Sequence, residues 1–201
     1  MKSNPSITGT RYWITSLMVA AFYVLTAKLG MLLATVQGNV TPIWPPAGIA
    51  LAALLLWGPR MAPAVALGAL VAAAGTGAPW HFSLTVVLGN TAAALAGLWI
   101  LNRQKLDRAL GRVRELISLV LWGALAASVV SASLGTAGLL WAGMVPPSQW
   151  SKPLLTWWLA DSMGVMVMTP VILYWFARPL SGLNHTKSLE LLSWALSAVL
   201  V

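Results

Sequence analysis

Seven apolar runs divide this chain, and two ionisable side chains lie deep inside them. The runs are Tyr12–Thr35, Ile43–Trp57, Met61–Gly75, Phe82–Leu101, Leu116–Trp141, Leu154–Phe176 and Ser188–Val201. Four acids and twelve bases, 8% charged against 59% hydrophobic, cannot solvate a globule this apolar. A soluble domain carries roughly a quarter charged residues. The pattern predicts an all-α, polytopic transmembrane helical bundle, with lipid as its solvent. A helix needs about 20 residues to cross the hydrocarbon, so the second and third runs are short. They read either as two thin spans or as one re-entrant hairpin.

The bases sort by loop. With the N-terminus in the cytoplasm, the inside holds Lys2, Arg11, Arg60, Arg103, Lys105, Arg108, Arg112, Arg114, Arg178 and Lys187, and the outside only Lys152. That is the positive-inside bias. Residues 1–11 then form a cytoplasmic tail and 12–201 an integral-membrane domain. The run from Ser188 leaves an odd number of spans, so an eighth helix is expected beyond the C-terminus. The net charge of +8 does not signal nucleic acid, because the bases sit in short loops and not along one face. The basic stretch Asn102–Glu115 reads first as a topology determinant and second as a patch for anionic lipid or a partner. Trp44, Trp80, Trp141 and Trp150 fall near the outer boundary; Trp13, Trp57, Trp99, Trp122 and Trp175 fall near the inner one.

The chain has no cysteine, which removes disulfides, thiol chemistry and thiolate metal sites. His81 and His185 lie in different loops, and neither metal nor cofactor is expected. No catalytic spacing of nucleophile and base is present, and the chain is not expected to be an enzyme.

A charge in hydrocarbon costs a few kcal/mol on insertion scales and needs a partner or a task. Lys28 and Asp161 each lie about seven residues below the outer boundary, and Asn90 about eight. At 1.5 Å per residue all three sit roughly 10–12 Å deep. Gln37 and Asn39 lie just above. The layer reads as a Lys28–Asp161 ion pair buttressed by Asn90, as a lysine snorkelling outward, or as a ligand or ion site. Equal depth favours the pair.

At Trp44-Pro45-Pro46 the backbone must be extended before Pro46 starts a helix. Interrupted helices of this kind can aim free amides at a ligand beside a cavity. The same three residues also fit a rigid turn that sets the helix direction. Thr156–Trp175 carries Asp161, Gly164 and Pro170 in one span, where Pro170 frees a carbonyl near Met166. Small residues recur at helical spacing, Ala64, Gly68 and Ala72, then Gly89, Ala93 and Gly97. They serve close packing within the bundle or a homodimer.

WPPAGIALAALLLWGPR, LGNTAAALAGLWIL and WWLADSMGVMVMTPVIL, in that order, resemble the motifs of the first membrane-associated sensor domain family (MASE, type one). The resemblance covers roughly Tyr12 to the end of the chain. Matched by position, its motif residues are Trp44, Pro45, Pro46, Gly48, Asn90, Asp161, Gly164 and Pro170. The resemblance implies a multi-pass input module of the bacterial inner membrane, followed by a cytoplasmic histidine kinase, diguanylate cyclase or phosphodiesterase, or PAS region. Such a region is not in this chain. The ligand is unknown, and a partner membrane protein is the other expected source of signal. A small-solute transporter, or its membrane subunit, is the alternative reading, since a cavity, an interrupted helix and buried charges suit it. Against it, the two halves share no inverted repeat.

Overall fold

Helical periodicity has no competitor in this sequence, and the described residues contain no strand. The structure is a computed structural model that describes residues 9–33 and 43–177. The seventh apolar run lies outside them, as do Gln37 and Asn39.

Four helical rods are long and apolar enough to cross a membrane. They are α1 (Thr10–Leu33), α4 (Trp80–Arg103), the continuous rod Val113–Trp141 and α7 (Ser151–Ala177). The third of these combines α5 (Val113–Ser118), a π-helical segment (Leu119–Ala126) and α6 (Ala127–Trp141). Two further helices, α2 (Pro45–Trp57) and α3 (Ala62–Ala74), have 13 residues each. At 1.5 Å per residue they reach about 20 Å, short of a full hydrocarbon core.

α2 occupies the centre. It packs against α7, α1 and α4, and buries nearly every residue from Pro46 to Leu55. A helix that is apolar on every side has no solvated face to offer, so the middle of the bundle is its natural place. α3 lies outside it, against α1 and α4. The turn between them needs Gly58, whose φ of +86° is strained for any residue with a Cβ, and whose N–H bonds Leu54 O at 2.8 Å. Pro59 then opens a short 3-10 turn.

This turn fixes the end of the bundle at which the short helices join. Arg60 O accepts the Tyr12 hydroxyl at 3.0 Å, in the first turn of α1. Trp57 meets Phe176, near the end of α7, edge to face at 5.2 Å. The turn is therefore level with the start of α1 and the end of α7. α3 runs from that turn toward the opposite end, whereas the mouth of α2 meets α7 at Ala160 and Gly164, near the middle of that helix, so α2 occupies the half of the bundle nearest the turn.

The packing follows the logic of a lipid solvent. Large side chains such as Leu17, Phe22, Leu25, Leu88, Leu159 and Val171 point outward, while alanine and glycine fill the contacts. Between helices in lipid there is no hydrophobic drive to associate, so close backbone approach supplies the attraction. Both small-residue ridges face neighbours within the chain. A Cβ on Gly68 would lie 2.8 Å from Tyr23 Cβ of α1, and one on Gly97 2.9 Å from Leu51 of α2.

Charge separates by end. Arg11, Arg60 and the stretch from Arg103 to Arg114 lie at helix ends around the Gly58–Met61 turn, with the Arg103 guanidinium 4.4 Å over the Trp99 ring. Lys152 begins α7 at the opposite end, where Trp80, His81 and Trp141 stack together.

Candidate functional site

The two proline-containing motifs meet each other. Trp44 is extended (φ −111°, ψ 83°), and Pro45 and Pro46 form the first positions of α2. The Trp44 N–H reaches across to Ala160 O of α7 at 2.9 Å. One turn along α7, Gly164 lies against the Trp44 carbonyl with no room for a Cβ. Gly48 faces it in the same way: a Cβ there would overlap the Gly164 carbonyl and stand 2.7 Å from Met168 Cβ. Thr169, fully buried, completes the seam by donating its hydroxyl to Gly48 O at 3.0 Å. α7 continues through Pro170 as one helix.

This seam corrects one expectation. The start of α2 does not aim free amides at a ligand. Pro45 and Pro46 have no N–H, and the Ala47 N–H folds back onto Trp44 O at 3.1 Å. The stiff Trp-Pro-Pro stretch instead holds the mouth of α2 against α7.

Below that mouth lies the polar layer. Asp161 is 1% exposed. Its Oδ2 bonds the Ser131 hydroxyl of α6, while its Oδ1 has no hydrogen-bond partner. The Trp157 indole flanks the same carboxyl. Ser131 carries one proton and faces two acceptors, because the Ser128 carbonyl is 3.0 Å away. Asn90 of α4, 6% exposed, donates from Nδ2 to the Tyr23 hydroxyl of α1 at 2.9 Å, and Tyr23 is fully buried.

Lys28 is at the expected depth on the wrong face. It is exposed, and it makes no ion pair among the described residues. Five residues separate it from the buried Tyr23, about 140° around the helix at 100° per residue. The predicted Lys28–Asp161 pair is therefore not formed. Tyr23 and Ser131 take the places that Lys28 was expected to fill. Both carried a signal: a tyrosine deep in an apolar run needs a partner for its hydroxyl, and serines at 128 and 131 share one helix face.

A cavity of about 370 Å³ stands over this layer. Tyr23, Asn90 and Asp161 form its polar floor; Trp44, Phe82, Trp157, Val86 and the alanines 69, 72 and 73 are among its walls. Met31, Thr76, Leu139 and Pro153 also line it, placing it toward the end of the bundle opposite the Gly58 turn. Among the described residues no lysine, arginine or histidine lines it. A void of about 10 Å³ lies on the other side of Asp161, among Asn90, Gly123, Ala127, Ser128 and Ser131.

Through the same helix the site reaches the π segment. Trp158 Nε1 donates to Leu125 O at 2.8 Å and Ser162 Oγ to Ala124 O at 3.3 Å. These residues flank Asp161 on α7. Such segments often mark functional sites, and nothing in LVLWGALA announces one. Among the described residues no group of three His, Cys, Asp or Glu side chains is placed to hold a metal.

Taken together, the Trp-Pro-Pro-x-Gly mouth, the Gly-Asn helix and the Asp-x-x-Gly helix build one site. The MASE1 family model matches residues 15–201. The chain belongs to the MASE1 family. MASE1 domains are membrane-embedded sensor input domains, and the three motifs that resembled the family converge here on one cavity. No curated protein and no solved structure matches the chain.

Proposed function

We propose that this MASE1 domain is the sensing module of a multi-pass bacterial inner-membrane signalling protein, and that the cavity over Asp161 is where its signal enters. The observation that carries this reading is a buried carboxyl, held by Ser131 yet short of donors, at the floor of a 370 Å³ cavity. In a membrane such a residue is expensive and defaults to function. The basic end faces the cytoplasm and the cavity faces outward, following the charge bias. A kinase or cyclic-di-GMP output region follows Val201. The chain performs no chemistry of its own.

Transmission needs an element with two arrangements and a ligand that favours one. α7 is that element. Its one face carries Trp157 and Asp161 at the cavity, and its next carries Trp158 and Ser162 on the π-segment carbonyls. A shift at the floor is felt in the ladder of the neighbouring rod, which runs to the basic end.

The test uses the full-length protein with its output region, read by a transcriptional or cyclic-di-GMP reporter. Val86→Phe narrows the cavity from its α4 wall and leaves the Asp161 side chain itself unchanged. The expected result is an output fixed at one level across growth conditions that move the wild type. A normal response would remove the cavity from the signalling path. The alternative, a small-solute carrier, draws on the same cavity and carboxyl. It predicts solute accumulation in proteoliposomes that depends on Asp161, with no dependence of any output region on the variant.

A further inference from the structure

Resting on the sensing reading, we propose that the cavity takes a small apolar organic cation, an alkylammonium in class, whose ammonium head is held by Asp161 and whose apolar body lies between Trp44, Phe82 and Trp157.

The sign of the ligand follows from the lining. Among the described residues Asp161 is the one carboxyl group at the cavity, and no basic residue borders it. An anionic ligand would meet a carboxyl with nothing to offset the repulsion. Lys28, the nearest cation expected from sequence, is exposed on the far face of α1 and does not neutralise it. The carboxyl also lacks donors. Oδ1 accepts no hydrogen bond of good geometry, the Trp157 indole being a donor near the carboxyl but misaligned, and Oδ2 shares the single Ser131 proton with the Ser128 carbonyl. An ammonium brings the missing donors and the missing charge together.

The nature of the ligand follows from the walls. A bare metal ion of the hard type asks for six or more oxygens in its shell, and the floor supplies far fewer. The aromatic side chains of Trp44, Phe82, Trp157 and Tyr23 instead suit an organic cation, through cation–ring attraction and apolar burial. About 370 Å³ lies at the small end of the roughly 300–1,000 Å³ of small-molecule sites. The Asn90 carboxamide, held through Nδ2 by its bond to Tyr23, lines the same cavity and keeps its oxygen as an acceptor.

The experiment is a calorimetric titration of the full chain in phosphatidylcholine nanodiscs, with empty discs subtracted. The probes are hexylammonium chloride, sodium hexanoate and hexanol, equal in apolar length and different in head charge. Saturable heat is expected from hexylammonium alone. Asp161→Asn should weaken it by about 10- to 100-fold, the range of a lost charge-assisted hydrogen bond. Val86→Phe, with the carboxyl intact, should weaken it by narrowing the space for the alkyl chain. Thermal melts report whether each variant folds, and the wild-type comparison of the three probes does not depend on them. Hexanol or hexanoate binding as well as hexylammonium would overturn the proposal, as would an undiminished affinity in folded Asp161→Asn or no saturable heat from hexylammonium. In those cases an effect of Val86→Phe on cellular output would still stand, so the ligand class can fail without the sensing site failing with it.

Discussion

At Gly48 and Gly164 a single methyl group is the difference between contact and collision. A Cβ on Gly164 would enter the Trp44 carbonyl, which is backbone and cannot rotate away. Overpacking of this sort costs typically about 1–3 kcal/mol. Gly164→Ala should therefore lower the melting temperature in detergent more than Tyr23→Phe does. The latter removes one interhelical hydrogen bond, and such bonds in membranes average only about 0.6 kcal/mol. The reverse order would mean that α7 can slide away from Trp44 and that the seam is loose. Lys28→Met is expected to leave the melt within about 0.5 kcal/mol, as exposed substitutions do. A large loss would restore the ion pair that depth alone suggested. That pair shows what the sequence could and could not give at this scale. Depth is one residue number multiplied by a fixed rise, and it placed Lys28, Asn90 and Asp161 at one level. Azimuth depends on which face of α1 meets its neighbours, and only packing decides that.

Among the elements, α2 and the π segment differ most in how they were legible. α2 was visible as a short apolar run bracketed by Trp-Pro-Pro and Gly-Pro-Arg, because proline and glycine act locally. Its central position was not, since an all-apolar helix fits either a buried or a lipid-facing place. The seam it forms with α7 was half visible. Each motif stood out by its glycine and proline, but the sequence did not say that Gly48 and Gly164 face each other across one contact. The π segment left no trace in composition. Its distorted ladder is held from outside, by Trp158 on Leu125 O and Ser162 on Ala124 O. Trp158→Phe keeps the ring and removes the donor. Faster amide hydrogen exchange across residues 119–126 is expected, with residues 132–141 little changed. Uniform exchange along the whole rod would mean that the indole bond is ornamental and that α7 does not hold the π geometry.

At the scale of the molecule, two gradients run along one axis. Bases crowd the end that carries the Gly58 turn, and the cavity lies toward the other. Sequence reading saw the first gradient, because charge bias needs no tertiary structure, and inferred the second from the Trp44 rim. Three-dimensional packing was required to show that α1, α3, α4, α6 and α7 all contribute walls to the cavity. The orientation of both gradients in the membrane is open to a direct test, which the absence of cysteine makes simple. A single Lys152→Cys variant places a thiol at the cavity end, and Arg108→Cys places one at the basic end. In intact spheroplasts a membrane-impermeant maleimide should label the Lys152→Cys protein. It should reach the Arg108→Cys protein only after permeabilisation. The opposite pattern would turn the cavity toward the cytoplasm, and its ligand would then be an intracellular metabolite and not an external signal. Labelling of both from outside would mean that the loop between α4 and α5 does not set topology, contrary to the charge rule on which the outward reading rests.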